Sequence, residues 1–221
     1  TEQNQIASFY PGAMSEARNI ELKPIVDQVG GADVVLIGAN DPEGMRRHTD
    51  ECRFRGYPFA ADPSQQLARM DGEDIKPLIE GAEYLFTNEY EAALIEKKTG
   101  WTAADLAAIV NVRVITLGPE GARIERRGCD PVLVGVPEEE SKADPTGVGD
   151  AFRAGFLASQ SWGLSDERSA QVGSLVATYV IETIGTQEYQ LAQQHFVQRL
   201  ATAYGDDAAA EIDQHVSCPR P

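Results

Sequence analysis

An α/β fold with a mostly parallel sheet is the fold class that the sequence predicts, on two observations. Short apolar runs alternate with segments of helical periodicity throughout the chain. This alternation is typical of βαβ units, in which parallel strands lie side by side. The 221 residues are 42% apolar, which suffices for one substantial hydrophobic core. We therefore expect one domain over residues 1–216 and a flexible tail over residues 217–221.

Turn and cap residues set the element boundaries in the first half of the chain. The apolar run 33–37 predicts a buried strand. Asp41 and Pro42 then predict the start of a helix, and Gly56 predicts its end. The other elements predicted here are strands over 57–61 and 84–86, a helix after Asp62-Pro63, a helix from Asn88 to Gly100 and a helix over 101–109.

In the second half of the chain, the sequence pattern predicts one strand, a hairpin and three helices. Gly149 opens a helical pattern, and Ser165 is the expected N-cap of a long helix that ends at Gly185. The last helix is expected over 191–204, with a polar tail after it. The predicted strands are 113–117 and, in the hairpin, 122–126 and 132–136.

Strong negative charge excludes several classes of function. Lys and Arg number 19 against 35 Asp and Glu, so the net charge is −16. Phosphate backbones and anionic lipid repel such a chain, and we expect neither a nucleic-acid partner nor a membrane partner. No apolar run reaches the about 18 residues that a membrane span needs. The three cysteines are far apart, so we expect no disulfide framework and a cytoplasmic location.

The densest functional signal is the segment 144–152, which reads DPTGVGDAF. Its two glycines let the backbone approach a ligand, and the N-terminus of the following helix suits an anion such as phosphate. A bound phosphate would repel the carboxylate of Asp150. That placement is reasonable if Asp150 faces a hydroxyl that loses its proton during phosphoryl transfer. The alternative is that Asp150 only complements the helix dipole.

Three weaker signals each have a structural and a functional interpretation. Asn88 and Glu91 form either a capping box or a pair that reaches hydrated Mg²⁺ and its phosphates. The segment 116–121 (TLGPEG) is either a glycine-rich corner or a nucleotide wall at the carboxyl end of a strand. A stripe of small residues in the long helix either packs tightly or leaves room for a purine, and it comprises Ala170, Gly173, Ser174 and Ala177.

Three motifs thus follow one another in the order N-x-x-E, T-L-G-x-x-G and D-x-T-G-x-G-D-A-F. In order and spacing they resemble the ribokinase (PfkB-type) family of carbohydrate and nucleoside kinases, over essentially the whole chain. The segments 62–66 (DPSQQ) and 8–13 (SFYPGA) resemble the actinobacterial adenosine kinases of that family. The resemblance implies a ribokinase-like three-layer sandwich around a mostly parallel central sheet.

The resemblance also implies roles for individual residues. Asp150 resembles the catalytic base, beside an anion hole formed by Gly147, Val148 and Gly149. The implied ATP-binding residues are Asn88, Thr116, Leu117, Gly118, Gly121, Gly149 and Ser174, and the implied substrate-binding residues are Phe9, Gln65, Gln66 and Asp150. The implied metal residues are Asn88 and Glu91 for Mg²⁺, through water, and Asp144, Thr146, Val180, Thr183 and Gly185 for a monovalent cation.

Two departures from the family pattern affect these expectations. Pro145 replaces the Thr that commonly follows the first Asp of the last motif, which stiffens the loop and removes one N–H donor. The family's N-terminal third is absent, and with it the Gly-Gly substrate loop, the Asp that grips the acceptor hydroxyls and the lid sheet. We therefore expect an N-terminally truncated chain without its lid sheet, and a homodimer is an expectation for the full-length protein only.

The expected function is ATP-dependent transfer of the γ-phosphoryl group to the 5′-hydroxyl of a nucleoside, converting adenosine to AMP. The expected partners are small molecules, a nucleoside or sugar together with ATP, and the expected ions are Mg²⁺ and K⁺. One alternative is a sugar kinase of the ribokinase or fructokinase type. Two others are an ATP-dependent hydrate dehydratase and an inactive ATP-binding fragment. N-x-x-E before T-L-G favours the kinase over the dehydratase.

Overall fold

The structure is a computed structural model that describes residues 10–216 and divides into two compact units. The first unit comprises the chain up to residue 115 together with 125–131. The second comprises 116–124 and the chain from residue 132 onward. The single domain over 1–216 stays a prediction, and Phe9 and the tail 217–221 lie outside the described residues.

The described strands form one six-stranded sheet in the order β1-β2-β3-β4-β5-β6. Strand β1 pairs with β2 in parallel, with Val35 opposite Phe59, and β2 pairs with β3 in parallel, with Ala60 opposite Tyr84. Strands β5 and β6 form an antiparallel hairpin. The predicted α/β fold is therefore confirmed. The strands are β1 Val35–Ile37, β2 Phe59–Ala61, β3 Tyr84–Asn88, β4 Val112–Thr116, β5 Ala122–Arg126 and β6 Val132–Val134.

Helices connect and follow these strands. In chain order they are α1 Leu22–Val29, α2 Pro42–Arg55, α3 Gly72–Ile79, α4 Glu89–Thr99, α5 Ala103–Ile109, α6 Val148–Ser161, α7 Asp166–Ile181, α8 Gln193–Tyr204 and α9 Asp206–Val216. Short 3₁₀ helices span Gly12–Asn19, Ser64–Ala68 and Gly118–Glu120.

Cap residues fix the helices of the first unit where the sequence predicts. The carboxylate of Asp41 accepts a hydrogen bond from the N–H of Gly44 at 2.9 Å and starts α2. Gly56, at φ +71°, ends α2 in the left-handed conformation that favours glycine. The apolar faces of these elements form one core, which includes Ile37, Phe59, Leu67, Ile75, Leu85, Ile95 and Leu106.

Tight packing of α6 against α7 organises the second unit. A Cβ atom on Gly155 would lie 2.9 Å from the Cα atom of Gly173, and one on Gly173 would lie 2.7 Å from the carbonyl oxygen of Phe152. The two backbones therefore approach as closely as only glycine permits. The small-residue stripe of α7 serves helix packing, which is the structural one of its two interpretations. The core of this unit includes Ala151, Leu175, Val180, Phe196, Leu200, Ala209 and Ile212.

Helix α7 ends earlier than predicted, at Ile181 and not at Gly185. The carbonyl of Ile181 accepts hydrogen bonds from the N–H groups of Ala143 and Asp144, at 2.8 and 3.2 Å. The end of α7 is thus occupied by the loop before the glycine motif and not by another helical turn. Gly185 does adopt a positive φ, +96°, in the turn that follows.

Other elements also differ from the sequence prediction, and β1, β2 and β6 are each two residues shorter than expected. The expected polar tail after residue 204 is wrong, because α9 forms there and buries Ala208, Ala209 and Ile212. The helix expected after Asp62-Pro63 begins as a 3₁₀ helix, and α3 follows only from Gly72. The 3₁₀ helix Gly12–Asn19 and α1 were not predicted.

Candidate active site

The glycine motif forms the N-terminus of α6 in the second unit. Gly147 is the N-cap residue and has φ +84°, so a side chain there would strain the backbone. A Cβ atom on Gly147 would also lie 2.8 Å from Cγ2 of Thr186. No side chain caps this helix end. The N–H of Val148 makes a long hydrogen bond, 3.4 Å, to the carbonyl of Pro145. With no side chain at this helix end, the backbone N–H groups of Gly147, Val148 and Gly149 are the donors that it offers to an anion.

The carboxylate of Asp150 lies in the first turn of α6 and is open to reactants, because its side chain is 83% exposed. Its Oδ1 accepts a hydrogen bond from Nη1 of Arg153 at 2.7 Å, and the Arg153 side chain is only 14% exposed. Nη1 of Arg153 would also lie 3.3 Å from a Cβ atom on Gly149. The guanidinium thus lies along the first turn of α6, where it can orient the carboxylate. Sequence reasoning missed Arg153, although its spacing of three residues from Asp150 was a signal.

The loop before α6 gathers three of the predicted monovalent-cation residues. Oδ1 of Asp144 accepts a hydrogen bond from the N–H of Thr146 at 2.9 Å. Hydrogen bonds from the side chain and backbone of Thr146 and from the N–H of Gly185 hold the pKa of Asp144 below its usual range. The N–H of Thr183 donates to the carbonyl of Val180 at 3.1 Å in the turn that ends α7. Asp144, Thr146 and Gly185 are therefore neighbours, and Val180 and Thr183 lie in the turn that leads to Gly185.

The segment 116–121 makes a tight corner in the second unit. The N–H of Leu117 donates to the carbonyl of Gly121 at 2.7 Å. Gly121 has φ +98°, and a Cβ atom there would lie 1.9 Å from the carbonyl oxygen of Val134. Glycine is required at this corner by the hairpin, while Thr116 and Leu117 are half-buried and Gly118 is exposed. The segment is thus the glycine-rich corner of the structural interpretation. Its role as a nucleotide wall stays a prediction.

Ser174 is 3% exposed and lies within α7. The hydroxyl of Tyr204 donates to the carbonyl of Gly135 at 2.7 Å. Burial raises the pKa of this phenol well above its usual value, and the Ser174 side chain acts in the opposite direction. The predicted adenine contact of Ser174 stays a prediction.

Asn88 and Glu91 form a full capping box at the start of α4 in the first unit. Oδ1 of Asn88 accepts from the N–H of Glu91, and Oε2 of Glu91 accepts from the N–H of Asn88, both at 2.8 Å. A carboxylate offers about four lone-pair sites, so the box leaves acceptor positions on Glu91. Oxygen ligands of this kind fit a hydrated Mg²⁺. The two interpretations of N-x-x-E are thus compatible.

The two glutamines differ in their surroundings. Gln65 is exposed on the 3₁₀ helix Ser64–Ala68, whereas Gln66 is buried. Nε2 of Gln66 donates to the carbonyl of Asn40 at 2.8 Å. The hydroxyl of Ser64 donates to Oε1 of Glu91 at 3.4 Å. The turn after β2 therefore contacts both the segment after β1 and the capping box after β3.

Two groups of predicted site residues are therefore brought together, one in each unit. The first unit joins the turn of Gln65 and Gln66 to the capping box of Asn88 and Glu91. The second gathers the residues around the glycine motif, which are Asp144, Thr146, Gly147, Val148, Gly149, Asp150 and Gly185.

Within residues 10–216, no helix is long and apolar enough to cross a membrane.

Comparison with known families and curated proteins gives consistent matches. The family model described as pfkB family carbohydrate kinase matches residues 1–193. A nucleoside kinase of Methanocaldococcus jannaschii is 27% identical over 202 residues, which are 90% of this chain and 64% of the relative. A nucleoside kinase of Methanothermobacter thermautotrophicus is 28% identical over 93% of this chain and 65% of its own length. The chain thus spans slightly less than two thirds of these curated relatives.

Solved structures are similar over most of the chain. The structure of Burkholderia thailandensis nucleoside kinase in complex with inosine superposes with a TM-score of 0.86 at 33% identity. It is matched over 92% of this chain and 67% of its own. Another structure of that protein, described as in complex with ADP-inosine, has a TM-score of 0.84 at 34% identity and is matched over 91% of this chain and 62% of its own.

Proposed function

This chain belongs to the pfkB family of carbohydrate kinases, and we propose that its complete protein transfers the γ-phosphoryl group of ATP to the 5′-hydroxyl of a nucleoside. The observation that carries this proposal is the uncapped N-terminus of α6, with a positive-φ glycine at its N-cap and the exposed carboxylate of Asp150 in its first turn. The nucleoside kinases among its relatives, and the inosine complex of one of them, support a nucleoside as the acceptor.

The proposed reaction is an in-line displacement at the γ-phosphorus. The 5′-oxygen of the nucleoside forms the new P–O bond, the bond to the β–γ bridging oxygen breaks, and ADP leaves. The hydroxyl proton passes to the carboxylate of Asp150, which acts as general base. N–H groups of Gly147, Val148 and Gly149 stabilise the negative charge on the phosphoryl oxygens. Arg153 holds the carboxylate of Asp150 in the first turn of α6.

The proposal includes two cations, one held by residues of each unit. Asn88 and Glu91 would hold Mg²⁺ through water, and the ion would neutralise phosphate charge. Asp144, Thr146, Val180, Thr183 and Gly185 would hold K⁺. The hydrogen bonds that keep Asp144 ionised support this assignment, since an ionised carboxylate in an ordered turn favours a cation.

Adenosine is the acceptor that we propose among nucleosides. The segment 62–66 places the exposed Gln65 on a turn at the carboxyl end of β2, where ligands of open α/β sheets bind. An amide there offers both a donor and an acceptor to a purine or ribose. Phe9, for which we propose a stacking contact with the base, lies outside the described residues.

An acceptor panel tests the function. The complete protein is incubated with ATP, Mg²⁺ and one of adenosine, inosine, cytidine, ribose or fructose, and phosphorylated products are quantified. We expect AMP as the main product. A higher kcat/KM for ribose or fructose would favour the sugar-kinase alternative, which the similarity to a 1-phosphofructokinase of Haloferax volcanii also supports. Binding of ATP without any product would favour an inactive ATP-binding protein.

A further inference from the structure

The turn that carries the two glutamines is held in a strained conformation. Ser64 has φ +45° and is the one non-glycine residue with positive φ among residues 10–216. A backbone in this region costs free energy and persists only where surrounding contacts hold it. The contacts of the 3₁₀ helix Ser64–Ala68 therefore determine where Gln65 lies.

Helix α4 provides the contact at the start of this turn. The hydroxyl of Ser64 donates to Oε1 of Glu91, and Oε2 of the same carboxylate accepts from the N–H of Asn88. Glu91 thus touches the glutamine turn with one oxygen and closes the capping box of α4 with the other.

Helix α4 also holds the far end of the turn, through Lys98. The ammonium of Lys98 donates to the carbonyls of Leu67 at 2.7 Å, Ala68 at 3.1 Å and Met70 at 2.6 Å. An ammonium has three N–H donors, so all three are used on this one turn. A positive charge at the carbonyl end of a helical turn is also favoured by the orientation of the peptide dipoles.

The backbone beside Lys98 approaches the same segment closely. A Cβ atom on Gly72, the first residue of α3, would lie 2.0 Å from the carbonyl oxygen of Lys98. Only glycine permits this approach. The chain from Leu67 to Gly72 is therefore fixed against the last turn of α4 by side-chain hydrogen bonds and by backbone contact.

We propose that Lys98 is a positioning residue for the nucleoside acceptor: by holding the carbonyls of Leu67, Ala68 and Met70, it keeps Gln65 in its binding position. This inference rests on the proposed function. Lys98 does not touch the nucleoside itself. A fixed turn binds more tightly because the cost of ordering it is not taken from the binding energy.

Calorimetric titration of the complete protein tests the proposal. The ligands are ATP and, separately, whichever of adenosine and inosine the wild-type protein binds more tightly. The variants are Lys98→Met, Lys98→Arg and, as matched control, Lys97→Met, which alters the exposed neighbouring lysine of the same helix. If Lys98→Met does not fold, Lys98→Gln replaces it, because the glutamine side chain is shorter than lysine and keeps one NH₂ group as a hydrogen-bond donor.

The expected result is selective for the nucleoside. Lys98→Met raises the nucleoside Kd about 3- to 10-fold, the range that follows from ordering one further side chain on binding. Its ATP Kd stays unchanged, Lys98→Arg recovers most of the affinity, and Lys97→Met behaves as wild type. A lower melting temperature with a wild-type nucleoside Kd would overturn the proposal and leave Lys98 a structural cap. Equal weakening of ATP and nucleoside would overturn it as well. Absence of nucleoside binding by the wild-type protein would instead overturn the proposed function.

Discussion

Asp150 is the residue on which the proposed chemistry depends, and Asp150→Asn separates its two interpretations. Asparagine keeps the shape of the side chain but cannot accept the hydroxyl proton. We expect kcat to fall by about 10²- to 10⁴-fold, the usual cost of losing a general base. ATP affinity should stay the same or improve slightly, because a negative charge beside the γ-phosphate is removed while the helix N-terminus remains. Turnover and ATP titration on one purified preparation measure both quantities.

A matched control addresses the helix dipole. Asp207 occupies the first turn of α9, away from the glycine motif in sequence, and Asp207→Asn removes the same kind of charge. If Asp150 only complements the dipole, both variants lose a similar stability of about 0.3–1 kcal/mol and keep kcat. That pattern, found in thermal melts and rate measurements, would remove Asp150 from the mechanism.

The two glutamines should separate binding from stability. Gln65 is exposed and Gln66 is buried against the carbonyl of Asn40. We expect Gln65→Ala to raise the nucleoside KM about 3- to 10-fold with little change in melting temperature, as loss of one ligand hydrogen bond implies. Gln66→Ala should instead lower stability by about 1 kcal/mol. Steady-state kinetics and thermal melts on both variants check this, and the reverse assignment of effects would contradict it.

Residues close in sequence were the predictable part of the candidate site. The turn from Asp144 to Asp150 is local, so its glycines and carboxylates could be interpreted directly. Lys98 could not be, because its hydrogen bond to Leu67 joins residues 31 positions apart and a lysine in a helix carries no signal of its target. The burial of Ser174 was also not predictable, since a stripe of small residues fits both a helix contact and a ligand.

At the scale of elements, helices with strong caps were predicted well. Helix α2 begins after Asp41 and ends before Gly56, as expected, because a side-chain acceptor and a left-handed glycine act locally. The predicted end of α7 was wrong because the N–H groups of Ala143 and Asp144 donate to the carbonyl of Ile181, and this is a tertiary contact. Helix α9 was missed because its apolar face is small and consists mainly of alanine.

Asp41, the N-cap residue of α2, makes the stability of the folded protein depend on pH. Burial acts to raise the pKa of Asp41, but the hydrogen bonds and charge of Arg18 and the N–H of Gly44 outweigh it and hold that pKa below its usual value. A lowered pKa means that the folded state favours the carboxylate. This stabilisation is present above the unfolded pKa and is lost as pH falls below about 4.

Asp41→Asn tests this source of acid sensitivity. Asparagine is an equally good N-cap but does not titrate. We expect the variant to be less stable than wild type at pH 7 and to lose less of its stability between pH 5 and pH 3, about the range of carboxylate titration. Urea unfolding across that range measures it. Parallel losses in the two proteins would show that Asp41 does not contribute.

At the scale of the whole molecule, the α/β fold class was predicted from the alternation of apolar runs with helical segments, and the family from three short motifs. Both are confirmed. This was possible because glycine motifs and caps are read from neighbouring residues. The division into two compact units was not predicted, since it depends on contacts between distant parts of the chain. The likeness to actinobacterial adenosine kinases and the cytoplasmic location stay predictions.

Potassium should raise the activity of the complete protein. A cation at Asp144 would order the loop beside the anion site and offset negative charge near the phosphates. We expect the rate in about 100 mM K⁺ to exceed the rate in a buffer of equal ionic strength that contains a non-binding organic cation. Screening extends over only about 10 Å at this ionic strength and is the same in both buffers. Asp144→Asn should remove most of the difference. Equal wild-type rates in the two buffers would contradict the proposed cation site.

Following the γ-phosphoryl group of ATP is the sharpest test of the proposed transfer to a nucleoside with Asp150 as general base. ATP labelled in that group is incubated with Mg²⁺, adenosine and the complete protein, as wild type and as Asp150→Asn. We expect wild type to move the label to the 5′-position of the nucleoside, one for each ADP formed. Folded, ATP-binding Asp150→Asn should do so about 10²- to 10⁴-fold more slowly. Transfer at a near wild-type rate by Asp150→Asn, or no label on any nucleoside with wild type, would contradict the proposal.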